Sequence, residues 1–211
     1  MEENVDIDTF CRFTQVSRET IYDLKKIEKL ILNSNKEFNL IGKSTIDKIW
    51  NRHFLDSAQI IDFIDKNCQT LCDLGSGAGF PGLILSAIAK DRKMPLKIKL
   101  VEKSPKKSKF LRKLINEFNL DAEVINQNIL NNKENIITDV FVARAFKPLG
   151  VILEFMHRKS IKWKKIFIFL GKTGKNELFQ VSKIWDIQYK QRVSITSNDS
   201  IVIEINYLEK K

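Results

Sequence analysis

Apolar residues recur at helical spacing along the first third of the chain, over residues 16–39 and again over residues 44–66. Charged residues occupy most positions between them, which predicts two amphipathic helices. Ser44 or Thr45 suits the start of the second helix, because a short hydroxyl side chain can accept a hydrogen bond from the first turn. Residues 1–67 are therefore predicted to form a helical appendage.

From residue 70 onward, short apolar runs alternate with helical patterns. The predicted strands are residues 70–74, 98–102, 122–126, 139–143, 165–171, 188–195 and 200–208. The predicted helices are residues 80–90, 106–120 and 149–159. This alternation favours a Rossmann-like α/β domain over residues 68–211, with a mostly parallel sheet of seven strands. The last two strands meet at a predicted turn over residues 197–199 without a helix between them, so one strand should be antiparallel.

A glycine-rich loop, DLGSGAGFPG (73–82), lies between the first predicted strand and the helix that follows it. Open α/β sheets bind their ligands at the carboxyl ends of the strands, which is where this loop falls. Gly75, Gly77 and Gly79 allow the backbone to turn tightly and to approach a ligand closely, since no Cβ intervenes. The loop is therefore a candidate cofactor site.

Two cofactor classes fit a loop of this kind. Gly77, Gly79 and Gly82 match the spacing of the dinucleotide fingerprint G-x-G-x-x-G. However, Asp73 ends the strand, where it could receive the amino group of a methionine moiety directly or through water. Pro81 removes a backbone N–H at the helix start that a pyrophosphate would use. The pattern therefore favours S-adenosylmethionine over NAD.

Glu102 ends the second predicted strand, 20 residues after Gly82. An acid at this place can accept hydrogen bonds from both ribose hydroxyls of an adenosine. The same contact serves both cofactor classes, so Glu102 indicates a nucleoside cofactor without choosing between them.

The chain carries a strong positive charge. Its 211 residues include 36 Lys and Arg against 26 Asp and Glu, a formal net charge of +10. The excess concentrates in residues 97–113 and 158–175. An anionic partner is therefore expected, with nucleic acid ahead of an acidic membrane, and a lysine-rich solvated surface is the alternative for either cluster.

Few residues are available for a metal or disulfide site. The three cysteines, Cys11, Cys68 and Cys72, do not form an even-numbered framework, and only two histidines, His53 and His157, accompany them. Free thiols and no metal are expected. The longest apolar stretch falls well short of the roughly 18 residues of a membrane span, and the acidic start does not resemble a secretory leader. The protein is expected in the cytoplasm, with no membrane partner.

Five segments together resemble one protein family, the bacterial 16S ribosomal RNA guanine-N7 methyltransferases, also called the glucose-inhibited division protein B family. They are FNLIGKS (38–44), NRHFLDS (51–57), DLGSGAGFPG (73–82), LVEKSPKKSKFL (100–111) and VARAF (142–146). Their order covers more than half of the chain. The resemblance implies the S-adenosylmethionine-dependent methyltransferase fold and methyl transfer to N7 of a guanine, guanine 527, in 16S ribosomal RNA. The implied partner is that RNA or the small ribosomal subunit, and a monomer is expected.

The resemblance also implies which residues bind the cofactor: Gly75 and Phe80 in the loop, Asn128 and Ile129 after the third strand, and Arg144 after the fourth. The chain departs from the family pattern at several positions. Glu102 stands where the family usually has Asp, and Asn128–Ile129 align with a pair that often contains Glu. The first change keeps an acceptor for ribose, whereas the second removes an acid.

His53 and Asp56 are three residues apart, so on a helix they share a face and could order the cofactor pocket or fasten the appendage to the sheet. Arg144 could contact the cofactor or an RNA phosphate, since a guanidinium suits either, and it is the one candidate catalytic residue. Candidate RNA-binding residues are His53, Lys106, Lys107 and Lys147. Candidates to stack on the target base are Phe80, Phe146 and Trp50.

Two other functions remain open at this point. A non-catalytic RNA-binding or ribosome assembly factor could use a methyltransferase scaffold, and an NAD-dependent oxidoreductase would follow if the dinucleotide spacing were decisive. For a methyltransferase acting on guanine N7, no base is required, because N7 carries a free lone pair and loses no proton. The sequence shows no Ser/His/Asp or Cys/His constellation.

Overall fold

The computed structural model describes residues 2–131, 136–159 and 162–211, and it contains a seven-stranded sheet in the order β3-β2-β1-β4-β5-β7-β6. The strands are β1 (Thr70–Leu74), β2 (Lys97–Val101), β3 (Ala122–Ile125), β4 (Val140–Arg144), β5 (Lys165–Leu170), β6 (Trp185–Ser194) and β7 (Ser197–Lys210). The first five strands pair in parallel, and β7 runs antiparallel to both of its neighbours. The predicted sheet of seven strands with one antiparallel strand is confirmed.

The strand order reverses at β1, which pairs with β2 on one side and with β4 on the other. Its last residue, Leu74, lies in register with Val101 of β2 and Ala143 of β4. The loops that follow these three strands therefore leave the sheet at one edge. The loops after β2 and β4 lie on opposite sides of the loop after β1. Such a reversal is where doubly wound sheets bind ligands.

Helices pack around the sheet and precede it. They are α1 (Glu2–Thr14), α2 (Arg18–Asn35), α3 (Asp56–Ala58), α4 (Gly82–Asp91), α5 (Pro105–Glu117), α6 (Leu149–Lys159) and α7 (Gly174–Val181). Ser17 caps α2 and Ser104 caps α5, each accepting a backbone N–H of the first turn. The hydrophobic patterns of the sequence do not predict α1 or α7. Helix α7 has only eight residues, and only two of its side chains, Leu178 and Val181, are buried, which is too few to give a clear helical period.

The prediction of one continuous helix over residues 44–66 is wrong. The segment breaks into a 3₁₀ turn (Lys43–Lys48), a π-helical turn (Trp50–Leu55), the single turn of α3 and a second 3₁₀ turn (Ile61–Phe63). A π turn is wider than an α turn, so four residues of the same turn are buried together: Trp50, His53, Phe54 and Leu55. Packing against the core therefore overrides the ordinary helical period.

The predicted turn over residues 197–199 is also wrong. The two strands turn at residues 195–196, and Ser197 already pairs with Ser194 across the hairpin. Thr196 donates its N–H to the Ser194 hydroxyl and its own hydroxyl to the Asp56 carboxylate. A distant side chain thus fixes this turn, and the local Ser-Asn-Asp signal does not.

The largest hydrophobic cluster crosses the boundary predicted at residue 67. It joins Phe10, Trp50 and Phe54 from the first part of the chain to Leu83 of α4 and Leu111 of α5. A second cluster, on the other face of the sheet, holds side chains of β4, β5, α6 and β7. Within the described part of the chain, no helix is long and apolar enough to cross a membrane.

Candidate active site

A cavity of about 480 Å³ opens at the carboxyl edge of the sheet, at the strand-order reversal. We call it the cofactor cavity. Its walls come from the loops after β1, β2, β3 and β4 and from the segment that follows α2. Its lining residues are Leu40, Ile41, Gly42, His53, Gly75, Ser76, Gly77, Ala78, Phe80, Val101, Glu102, Lys103, Lys107, Gln127, Asn128, Ile129, Leu130, Arg144, Ala145, Phe146 and Lys147. The volume lies within the usual range for small-molecule sites, about 300–1,000 Å³.

The loop after β1 requires glycine for two physical reasons at one position. Gly75 has a φ of +74°, which L side chains rarely adopt, and a Cβ there would stand 2.3 Å from Cδ2 of Phe146. The backbone N–H groups of Gly75 and Ser76 both donate to the Val101 carbonyl, which ties the loop to the end of β2. The loop is therefore held in its turn conformation against Phe146, and its backbone lines the cavity.

Glu102 follows β2, is buried and faces the cofactor cavity. Its Oε2 accepts the N–H of Gly77 at 3.0 Å, and its Oε1 accepts the N–H of Ser104 at 2.7 Å. Each carboxylate oxygen can accept more than one hydrogen bond, so capacity remains for ligand hydroxyls. The carboxylate thus holds the glycine loop and stays available to a nucleoside.

Asp73, at the end of β1, is fully buried behind the loop and lies outside the cavity lining. Its Oδ2 accepts the N–H of Gly82 at 2.9 Å, whereas its Oδ1 has no hydrogen-bond partner among the described residues. Burial raises the pKa of this carboxyl to about 7, and the Gly82 hydrogen bond opposes the rise. An unpartnered buried oxygen beside the loop suits a cationic ligand group.

Arg144 joins the sheet to the π-helical turn. Its Nη1 donates to Asp56 Oδ2 at 3.0 Å and to the Arg52 carbonyl at 3.3 Å, and its Nη2 donates to His53 Nδ1. The side chains of Arg144 and Asp56 are only 15% and 16% exposed. His53 and Asp56, which the sequence places on one helix face, thus both contact the same guanidinium.

His53 is held as a neutral imidazole. Burial, with the positive charges of Arg144 and Arg52, lowers the pKa of His53 to about 3. Because Nδ1 accepts from Arg144, the proton must lie on Nε2, which faces the Thr45 hydroxyl at 2.8 Å. Thr45 in turn donates to the carbonyl of Gly42, in the cavity wall. The chain of hydrogen bonds therefore runs in one direction, from the sheet to that wall.

Most of the candidate residues meet in this cavity. Gly75, Gly77, Phe80, Glu102, Asn128, Ile129, Arg144, His53, Lys107 and Lys147 line it. Asp73, Gly79 and Lys106 lie outside the lining. Trp50 is a core residue, 1% exposed, with its indole N–H donated to Glu28.

The sequence patterns did not single out several lining residues, among them Leu40, Gly42, Lys103, Gln127 and Leu130. Three of them are immediate neighbours of predicted site residues, so the carboxyl-edge rule could have included them. Leu40 and Gly42 belong to FNLIGKS (38–44), one of the segments that resemble the family, but they precede the sheet and the carboxyl-edge rule does not reach them. Asn35 orders that segment, since its Oδ1 accepts the N–H groups of Leu40 and Ile41.

Across the described residues, no group of three or more His, Cys, Asp or Glu side chains could hold a metal ion. The three cysteines are free thiols, with Cys68 and Cys72 buried and Cys11 half-buried. Burial raises the pKa of all three thiols, which makes them poor nucleophiles and poor metal ligands.

Comparison with known proteins decides the family. The family described as rRNA small subunit methyltransferase G matches residues 20–202. The chain belongs to this family. A relative from Pelagibacter ubique (strain HTCC1062), named ribosomal RNA small subunit methyltransferase G, is 38% identical over 93% of this chain and 92% of its own length. One from Rickettsia akari (strain Hartford), with the same name, is 34% identical over 93% of this chain and 98% of its own.

Solved structures agree on the fold at low sequence identity. A SAM-dependent methyltransferase from Aquifex aeolicus superposes with a TM-score of 0.57 at 15% identity, covering 78% of this chain and 98% of its own. TrmK from M. capricolum, solved with S-adenosyl-homocysteine, superposes with a TM-score of 0.51 at 20% identity, covering 71% and 66%. The Rossmann-like methyltransferase fold is confirmed.

This family member is therefore an S-adenosylmethionine-dependent methyltransferase of ribosomal RNA. Neither the NAD-dependent oxidoreductase nor the non-catalytic factor agrees with that membership. The residues present fit the cofactor: Glu102 can accept from ribose, the loop brings backbone to the cavity, and Asp73 keeps one oxygen unpartnered.

Proposed function

We propose that this enzyme methylates N7 of a guanine, guanine 527, in 16S ribosomal RNA. The hydrogen bonding of the ionisable groups at the cofactor cavity supports N7 over atoms that must lose a proton. Glu102 accepts two backbone N–H groups and its remaining capacity would serve the ribose hydroxyls, and both ring nitrogens of neutral His53 have partners. Neither side chain is poised to take a proton. A lone-pair nucleophile such as N7 needs no such group.

S-adenosylmethionine, when bound, supplies a methyl group attached to a positively charged sulfur. That methyl group would pass to the N7 lone pair with the electron pair of the broken bond left on sulfur, so no residue of this chain would need to take up a proton. Glu102 would hold the ribose hydroxyls, and Asp73 would face the methionine amino group directly or through water. Catalysis by these residues is then chiefly alignment in a site that excludes water.

The rim of the cavity supports a nucleic-acid substrate. Lys103, Lys107 and Lys147 line it, and the net charge of the chain is +10. Cations around a concave site attract phosphates and hold the backbone while a base leaves its stack. We infer that Lys106, next to this rim in sequence, adds to the same field. The enzyme is proposed to act as a monomer in the cytoplasm, on the RNA or the small subunit.

The first 67 residues belong to this function as an appendage that closes the site. Leu40, Ile41 and Gly42 form part of the cavity wall, and His53 contacts Arg144 across it. The appendage thus supplies one side of the cavity and the methyltransferase domain, residues 68–211, supplies the other.

The test uses small subunits from cells that lack this protein. They are incubated with the purified chain and methyl-labelled S-adenosylmethionine, and the RNA is digested to identify and map the labelled nucleoside. We expect the label in 7-methylguanosine at one position. Label in a different nucleoside would contradict the N7 assignment, and absence of label would contradict the proposed substrate.

Two glycine variants provide matched controls for that assay. Gly75→Ala adds a Cβ that would meet Phe146, whereas Gly42→Ala, in the same cavity wall, meets only the Thr45 hydroxyl at 3.9 Å. Gly42 also has an ordinary φ of −66°. Methylation that depends on this cavity should be lost in the first variant to a much greater extent than in the second.

A further inference from the structure

A second cavity adjoins Arg144 and the two side chains that hold it, Asp56 and His53, a group that we call the Arg144 clamp. It has a volume of about 250 Å³ and shares His53, Arg144 and Ala145 with the cofactor cavity. We call it the hairpin cavity, because Ser194, Ser200 and Ile201 of the β6–β7 hairpin line it, opposite Arg52 and Asp56. Phe169 and Gly171, at the end of β5, complete its wall. The two cavities thus adjoin at these three shared residues.

The position of this cavity suits the base that receives the methyl group. The reacting atoms must approach to about 3–3.5 Å, so the acceptor must occupy space that adjoins the cofactor. Three other grooves of the molecule lie around Thr70 and Tyr207, around Glu28 and Trp50, and around Thr20 and Asp91. They share no lining residue with the cofactor cavity.

The size of the hairpin cavity favours a single base. Small-molecule sites usually measure about 300–1,000 Å³, and a cavity below that range suits a flat ring system better than a whole nucleotide. A base that enters it must be extruded from its stack, with the sugar and phosphates left outside. Arg52 is exposed at this cavity and provides a cation for those phosphates.

The polar groups of the hairpin cavity favour guanine among the bases, because Asp56 is occupied by the protein whereas Arg144 keeps donors without a partner among the described residues. Asp56 is fully engaged: Oδ2 accepts from Arg144, and Oδ1 accepts from Gln59, Ser194 and Thr196 at 2.8–3.0 Å. The carboxylate is therefore a fixed anchor rather than a partner for the base.

The donors of Arg144 that have no partner among the described residues are its Nε–H and one Nη2–H. Guanine offers two acceptors, O6 and N7, on the edge that must face the methyl group, whereas adenine places an amino donor beside its N7. A guanidinium that donates to O6 leaves the N7 lone pair free.

We propose that the hairpin cavity receives the extruded guanine, and that Arg144 selects it by donating to O6. This inference rests on the proposed function and names the place of its substrate. Arg144 then acts at the boundary of both cavities, with Asp56 and His53 as positioning residues that fix its orientation. The Asp56 carboxylate also offsets the guanidinium charge beside a base that becomes cationic.

A larger side chain in place of Gly171 would fill the hairpin cavity without disturbing the fold. A Cβ built there meets no atom within 4 Å, and Gly171 does not line the cofactor cavity. We expect Gly171→Leu to lower kcat/KM for small-subunit methylation by about tenfold or more, while the Kd for S-adenosylmethionine changes by less than about twofold. Gly150→Leu, on α6, adds the same side chain where a Cβ makes only an ordinary contact with Val181, and should methylate normally.

A second measurement locates the base directly and does not depend on any variant. Small subunits are reconstituted with 6-thioguanosine at the methylated position, irradiated with the wild-type enzyme, and the cross-linked peptide is identified by mass spectrometry. Cross-links to residues 169–171 or 194–201 are expected. Cross-links confined to residues 103–107 or 127–130 would place the base elsewhere and overturn the inference.

The outcomes separate this inference from the proposed function. Wild-type enzyme that yields 7-methylguanosine supports the proposed function whatever Gly171→Leu does. A fully active Gly171→Leu enzyme would then overturn the hairpin cavity alone. Wild-type enzyme that labels a nucleoside other than 7-methylguanosine would overturn both.

Discussion

The ring of Phe146 packs directly against the backbone of Gly75, so that a Cβ at residue 75 would stand 2.3 Å from Phe146 Cδ2. Both residues line the cofactor cavity, and each follows a central strand of the sheet. The loop that approaches the cofactor therefore owes its shape to a contact across the strand-order reversal. Residues 142–146 and 73–82 are thus coupled parts of one site.

Gly75→Ala should destabilise the fold and weaken cofactor binding. The variant places a side chain at a φ of +74° and against Phe146, which together should cost about 1–3 kcal/mol in the free energy of unfolding. Urea unfolding and calorimetric titration with S-adenosylmethionine measure the two effects. Phe146→Leu in the same chain should restore part of the loss, because the clash is relieved while the backbone strain remains. No recovery in the double variant would contradict the contact.

Asp56→Ala should be far more damaging than removal of an exposed ion pair. It leaves the buried Arg144 guanidinium without its anion and removes the acceptor of Gln59, Ser194 and Thr196, at an expected cost of about 3–5 kcal/mol. Asp62→Ala is the control, since Asp62 pairs with Arg92 with its side chain 58% exposed, and should cost less than about 1 kcal/mol. Similar unfolding free energies in the two variants would contradict the clamp.

Asp73 should make stability depend on pH in the neutral range. Its pKa is about 7 in the folded chain and near 3.8 in the unfolded chain. Between these values the folded state holds a proton that the unfolded state has lost, so the free energy of unfolding falls as pH rises. Asp73→Asn has no carboxyl group to titrate at this position. Its free energy of unfolding, relative to that of the wild type, should therefore rise by up to about 4 kcal/mol from pH 4 to pH 8. A difference that is constant with pH would be inconsistent with this assignment.

The same carboxyl should report cofactor binding. A methionine amino group near Asp73 favours the carboxylate, so binding of S-adenosylmethionine at pH 7 should release protons. Calorimetric titrations in buffers of different ionisation enthalpy measure the number released. Proton release that persists unchanged in Asp73→Asn would mean that another group is responsible.

His53 should remain neutral throughout the pH range in which the enzyme can be assayed. Its pKa of about 3 lies below the ordinary value of 6.5, so the folded state loses stability as pH falls from about 6.5 towards 3, where only the unfolded state takes up the proton. The chain has two histidines, which makes the NMR spectrum simple to assign with His157→Gln. We expect the His53 ring signal to stay constant from pH 8 to about 5; a titration near 6.5 would contradict its burial against Arg144.

The lysines at the cavity rim should contribute to RNA affinity through salt-dependent contacts. Lys107→Gln and Lys147→Gln should each reduce the slope of log K against log salt concentration by about one, as expected for one phosphate contact. Lys29→Gln, on the exposed face of α2, is the control and should leave the slope unchanged. Binding of a small-subunit RNA fragment at several salt concentrations measures the slopes. Equal slopes in all four proteins would place the RNA elsewhere.

The sequence predicts the parts of the site that the parallel sheet brings together. Gly75 and Glu102 each follow a strand, and the rule that the carboxyl ends of parallel strands meet at one edge was enough to group them. Asn128, after β3, and Arg144, at the end of β4, were added to the site by the family resemblance. His53 was grouped with Asp56 from their spacing on one helix face. The segment contains a π turn, yet both side chains contact Arg144.

The hairpin cavity could not be predicted in this way. Ser194 and Thr196 reach Asp56 across 138 and 140 positions of sequence, and no periodicity or motif relates them. Contacts between distant segments are decided by packing, and local patterns do not encode them.

The hydrogen bond between Thr196 and Asp56 also determines when the site can be completed during synthesis of the chain. The ribosome makes about 5–20 residues each second, so the 140 positions that separate the two side chains take roughly 7–28 seconds to synthesise. Until then Asp56 lacks two of its hydroxyl donors, Ser194 and Thr196, and the Arg144 clamp is only partly supported. An enzyme that modifies ribosomal RNA thus completes this site only after residue 196 of its own chain has been made.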